Sequence, residues 1–137
     1  MIILGITNDY TAGACLVKNN TIVACVSEER FSRIKQDRKW PVNSINYVLK
    51  SQNLKLKNVD QIVYGYSQGF KAEKDLLFYF DRIVHETKNN PAGLEIFKNR
   101  IEQEIVRDGI KRKEFVNFIK KNKIEHKSSY LRHHECH

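Results

Sequence analysis

The chain has 137 residues, enough for one domain with a core of its own, and 41% of them are hydrophobic. Its formal charge of +8 and pI near 9.4 favour anionic ligands or acidic partners, although lysine-rich surfaces are common in small domains. No apolar run reaches the roughly 18 residues of a membrane span, and the N-terminus lacks the basic start and small-residue cleavage site of a secretory signal, so a cytoplasmic protein without a membrane partner is expected.

In chain order, Ile2-Ile3-Leu4-Gly5-Ile6 is short and β-branched and predicts a buried strand. Ala14-Cys15-Leu16-Val17 and Thr21-Ile22-Val23-Ala24-Cys25-Val26 predict two more, joined by Asn19-Asn20, a pair that tolerates positive φ in a hairpin turn. The sum is a three-stranded antiparallel meander. Its polar first connection, Thr7 to Gly13, is placed to offer backbone N–H groups to an anion. Cys15 and Cys25 fall inside strands and read as reduced core residues, as expected in the cytosol. A charged loop, Gln36 to Trp40, leads to Pro41, a residue suited to a first helical turn. Val42, Ile45, Val48 and Leu49 recur at helical spacing and predict an amphipathic helix to Ser51, and the stretch from Val59 to Tyr66 predicts a fourth strand. Strand, helix, strand in that order implies a crossover on a mixed sheet.

From Phe70 the pattern becomes helical. Leu76, Phe80, Ile83 and Val84 make one stripe, broken at Asn89-Asn90-Pro91. Leu94, Phe97, Ile101 and Ile105 make a second, closed by Asp108-Gly109, and Phe115, Phe118 and Ile119 make a third. The basic clusters Lys111-Arg112-Lys113 and Lys120-Lys121-Asn122-Lys123 lack interleaved aromatic platforms, so they read as a solvated helix face and not as a nucleic-acid surface. Lys127 to Arg132 predicts a short extended segment, followed by His133-His134-Glu135-Cys136-His137. On a helix, His133 and His137 stand one turn apart and suit a divalent metal of the zinc or iron class; His134 and His137, three apart, are the alternative pair.

Four separated pieces carry a resemblance. Ile3-Leu4-Gly5-Ile6 with Ala12-Gly13-Ala14-Cys15-Leu16-Val17, then Glu28-Glu29-Arg30-Phe31-Ser32-Arg33-Ile34-Lys35, then Trp40-Pro41, resemble the start of the O-carbamoyltransferases, the nodulation and antibiotic-tailoring family. The resemblance implies an α/β fold: the first half of an actin-like ATPase (ribonuclease H-like) domain, similar to that of the tRNA threonylcarbamoyl-transfer proteins, with a helical insertion. The implied organisation of 1–137 is one incomplete N-terminal domain: meander, helix and strand over 1–69, insertion over 70–123, and a strand with the start of a metal motif over 124–137. It also implies the chemistry. A C-terminal domain absent from this chain activates carbamoyl phosphate with ATP to carbamoyl-adenylate, and this domain passes the carbamoyl group to a hydroxyl of a small-molecule acceptor. The family's H-H-x-x-H motif assigns His133 and His137 to the metal. Arg30 and Lys35 match the family and, buried near phosphates, suit an anionic intermediate, a salt bridge to Glu28 or Glu29 or a solvated loop being their structural alternatives.

The chain departs from the family at Thr7, usually Asn, at Tyr10-Thr11, usually His-Asp, and at Gly13, usually Ser. A histidine base suits removal of a hydroxyl proton, whereas Tyr10, ordinarily with a pKa near 10, is a poor replacement; Asp9 is the neighbouring candidate. The expectation is therefore either the front part of a carbamoyltransferase or a non-catalytic binding module, a decayed copy of the same fold.

Overall fold

The computed structural model describes residues 1–65, 81–85 and 90–131. Five strands form one mixed sheet in the order β3-β2-β1-β4-β5. β1 (Ile2–Thr7), β2 (Gly13–Lys18) and β3 (Thr21–Ser27) make the expected antiparallel meander. Asn19 and Asn20 turn its hairpin with φ of 50° and 65°, the mirror-image turn whose twist matches the flanking strands. β4 (Gln61–Gly65) joins β1 in parallel, and β5 (Ser128–Leu131) joins β4 in parallel. Asp60 sets the β1–β4 register from both sides. Its carboxylate accepts the Ile2 N–H at 2.6 Å, and its own N–H donates to the Ile2 carbonyl at 2.9 Å.

After β3 the chain turns through a single-turn helix, α1 (Glu29–Ser32), whose last turn is closed by Arg33 in the left-handed region. The amphipathic helix α2 (Val42–Lys50) follows, with Ile45, Val48 and Leu49 buried. The chain divides into two compact units, one of Met1–Ser67 with Glu114–His137, the other of Gln68–Lys113. In the second unit, residues 81–85 are helical, and α3 (Pro91–Lys121) contributes its residues up to Lys113. Asn90 caps α3: its side-chain oxygen accepts the Gly93 N–H at 3.0 Å. Residues Leu76 and Phe80 of the first predicted stripe lie outside the described residues.

In the first unit, Leu4, Ile6, Ala14, Leu16, Ile62 and Tyr64 from the sheet meet Ile45, Val48 and Leu49 of α2 and Phe115 and Ile119 of α3. Tyr64 stacks on Phe115 at 4.7 Å, and Trp40 packs beside Phe118 at 5.2 Å. Lys127 reaches from before β5 to the Val59 carbonyl at 2.6 Å and the Leu56 carbonyl at 3.3 Å, satisfying acceptors at the end of a short 3-10 turn.

Two expectations need correction. Asp108-Gly109 does not end a helix, since α3 runs unbroken to Lys121. Gly109 has open space where a Cβ would stand, and a mid-helix glycine costs only about 1 kcal/mol. Cys15 and Cys25 are on their strands but not in the core. Ala14, Leu16, Ala24 and Val26 take the core face, and the two-residue period puts both cysteines on the other, leaving Cys15 half-buried and Cys25 exposed. The basic clusters are exposed at Lys113, Lys120, Lys121 and Lys123, whereas Lys111 is buried.

Candidate active site

The three parallel strands β1, β4 and β5 end on the same edge of the sheet, at Thr7, Gly65 and Leu131. The carboxyl ends of parallel strands are where open α/β sheets bind ligands. Asn8 and Asp9 leave β1 at this edge, and both are buried. Asn8 is held on two sides: the Tyr64 hydroxyl donates to its side-chain oxygen, and its NH₂ donates to the Glu114 carboxylate at 2.7 Å. A buried amide with both ends engaged fixes the loop that carries Asp9. Glu114 also lines a groove of about 520 Å³ between α2 and the end of α3, together with Trp40, Ile45, Phe118 and Lys121.

Glu28 ties this loop to α2. The Glu28 N–H donates to the Ala12 carbonyl at 2.8 Å. Its buried carboxylate accepts the N–H groups of Asn43 and Ser44 at 3.1 and 2.8 Å, the Asn43 side-chain amide at 2.6 Å and the Ser44 hydroxyl at 2.7 Å. An anion at these N–H groups caps the helix and complements its dipole. Asp37 closes the other side. The Ala12 N–H donates to its carbonyl at 2.7 Å, and the Lys39 N–H donates to its carboxylate at 3.0 Å. That backbone donor, helped by the Ser32 hydroxyl, holds the Asp37 carboxyl below its ordinary range. Of the backbone donors in the Thr7–Gly13 connection, expected to be placed for an anion, the Ala12 N–H is spent on the protein's own backbone.

Asp9 and Tyr10 are adjacent but differ in setting. Asp9 is 7% exposed and Tyr10 56%, with the Arg38 guanidinium 5.2 Å from the Tyr10 ring centroid. Arg30 on α1 and Lys35 beyond it are both exposed, not buried. The Glu28 carboxylate binds Asn43 and Ser44, and Glu29 accepts the Gln36 N–H at 3.1 Å. His133, His134 and His137 lie outside the described residues; among the described residues no group of three metal-ligating side chains gathers. Sequence reasoning missed Asn8, Tyr64 and Glu114. Tyr64 was legible only as a strand residue, and Glu114 only as an acid within a basic helix.

The comparisons decide the family. The family model for the carbamoyltransferase N-terminus matches residues 2–137. The chain belongs to this family. Nodulation protein NolNO of Sinorhizobium fredii is 36% identical over 61 residues, covering 44% of this chain and 9% of its own length. An uncharacterized protein of Synechocystis is 49% identical over 96 residues, 69% of this chain and 14% of its own. An uncharacterized protein of Methanocaldococcus jannaschii is 43% identical over 47 residues, 34% of this chain and 9% of its own. The carbamoyltransferase N-terminal chain thus spans 14% or less of the length of these three relatives.

Proposed function

We propose that this chain forms the front of a carbamoyltransferase that moves a carbamoyl group from carbamoyl-adenylate to a hydroxyl of a small-molecule acceptor. The observation carrying the proposal is the family match over residues 2–137, joined to a buried carboxylate, Asp9, at the carboxyl end of β1. In this reading the acceptor oxygen attacks the carbamoyl carbon, the carbon–oxygen bond to the adenylate phosphate breaks, and Asp9 takes the hydroxyl proton. Asn8, gripped by Tyr64 and Glu114, positions Asp9. Arg30 and Lys35 supply positive charge to the adenylate phosphate on long, exposed side chains. Carbamoyl phosphate and ATP are the upstream substrates, used by another part of the complete protein. His133 and His137 would hold an iron- or zinc-class ion, which would supply Lewis acidity to the site. Metal titration of the complete protein tests the pair: His133→Ala and His137→Ala each abolish binding, whereas loss with His134→Ala alone selects the other register.

A second reading is a binding module without turnover. The exposed Tyr10, stacked under Arg38 where the family usually has histidine, favours it. Tyr10→His in the complete protein separates the two. Turnover by the Tyr10 form supports the transferase, and turnover only with histidine supports the binding module.

A further inference from the structure

The sheet face opposite the core holds two thiols side by side. Cys15 on β2 and Cys25 on β3 are direct partners in the antiparallel register. Opposed residues in such a ladder have Cα atoms about 4.5–5.5 Å apart and Cβ atoms about 4.5–5.5 Å apart. A disulfide needs Cα atoms within about 4.4–6.8 Å and Cβ atoms within about 3.5–4.5 Å. The register thus brings the pair within about an ångström of bonding distance. Access is open as well. Cys25 is exposed on an edge strand. On its other side Cys15 faces Gly5 of β1, which has no side chain to cover it. Burial, and then Cys25 beside it, push the Cys15 thiol up to about 11. Cys15 is therefore a protonated thiol near neutrality, and the exposed Cys25 is the group that reacts first.

We propose that Cys15 and Cys25 form a reversible dithiol–disulfide site, oxidised by low-molecular-weight disulfides. The Cys25 thiolate attacks one sulfur of the disulfide, forming a mixed disulfide and releasing one thiolate. Cys15 gives its proton to solvent, its sulfur attacks the Cys25 sulfur, and the second small thiol leaves. The protein loses two electrons and two protons, and one small disulfide becomes two small thiols. Exposure makes the bond readily reducible, as suits a site that cycles rather than one that staples the fold.

The test uses the 137-residue chain in its Cys136→Ser form, incubated with glutathione disulfide, alkylated and digested for mass analysis. The expected product is an intramolecular Cys15–Cys25 link, removed by dithiothreitol. Cys15→Ser is expected to stop at a glutathione adduct on Cys25, and Cys25→Ser to leave Cys15 unmodified near neutral pH. The equilibrium constant for the link is expected to fall when the chain is unfolded in urea, because the ladder no longer holds the sulfurs together. An unlinked product, links only between chains, or the same equilibrium constant folded and unfolded would each overturn the proposal.

Discussion

One charged run, Glu28 to Lys35, holds two regions with opposite fates. Its first residue is buried and its carboxylate accepts four hydrogen bonds from Asn43 and Ser44. Its cations stand exposed, Arg30 on a single helical turn and Arg33 and Lys35 beyond it. The same motif therefore serves as a joint at one end and a charged surface at the other. Motif identity alone does not separate a residue that holds the fold from one free to meet a ligand; burial and the direction of the hydrogen bonds do.

The sharpest way to break this contrast is at the joint. Glu28→Ala removes four acceptor contacts and strands donors at the start of α2, and is expected to cost about 3 kcal/mol. Denaturant unfolding of the wild type and the variant reads that loss directly. Gly13→Ala is next. A Cβ at Gly13 would stand 2.8 Å from the Val26 carbonyl oxygen, a backbone atom that cannot swing aside. The expected cost is about 2 kcal/mol in the same assay.

Asp37 sharpens the comparison through pH. Its folded carboxyl titrates below the ordinary value of 3.8 because the Lys39 N–H and the Ser32 hydroxyl favour the charged form. Its stabilisation is complete above the unfolded value and is lost as pH falls through the folded one. Asp37→Asn is expected to flatten that acid limb of the stability curve, measured as the unfolding midpoint against pH. The smallest effect belongs to the cations. Lys35→Ala is expected to change stability by less than about 0.5 kcal/mol while weakening adenylate binding by the complete protein. A large fall in unfolding midpoint would instead place Lys35 with Glu28 as part of the fold.

Much of the fold was legible because its signals are local. Asn19-Asn20 announced a hairpin, and Ile45, Val48 and Leu49 announced the buried face of α2. What escaped depended on phase or on distance. Cys15 and Cys25 sit in runs apolar at almost every position, so alternation gave no phase and the core face had to be seen. The stripes on either side of Gly109 belong to one helix: Ile101 and Phe115 stand about four turns apart, so the break between them was only a glycine. The grip on Asn8 joins β1, β4 and α3, three segments with no common sequence pattern. The Asp9 and Tyr10 candidates were both visible, and burial separated them. The histidine motif stays at the level of sequence, outside the described residues.

The central claim is that Asp9, fixed at the carboxyl end of β1, serves carbamoyl transfer to a hydroxyl. The direct measurement is transfer of isotopically labelled carbamoyl from carbamoyl phosphate, with ATP, to a panel of hydroxyl acceptors by the complete protein and its Asp9→Asn variant. Label on an acceptor oxygen is expected, with a fall of about 10²–10⁴-fold in the variant and an unchanged unfolding midpoint. Labelled product formed by Asp9→Asn at the wild-type rate, or no labelled acceptor at all, would contradict the claim.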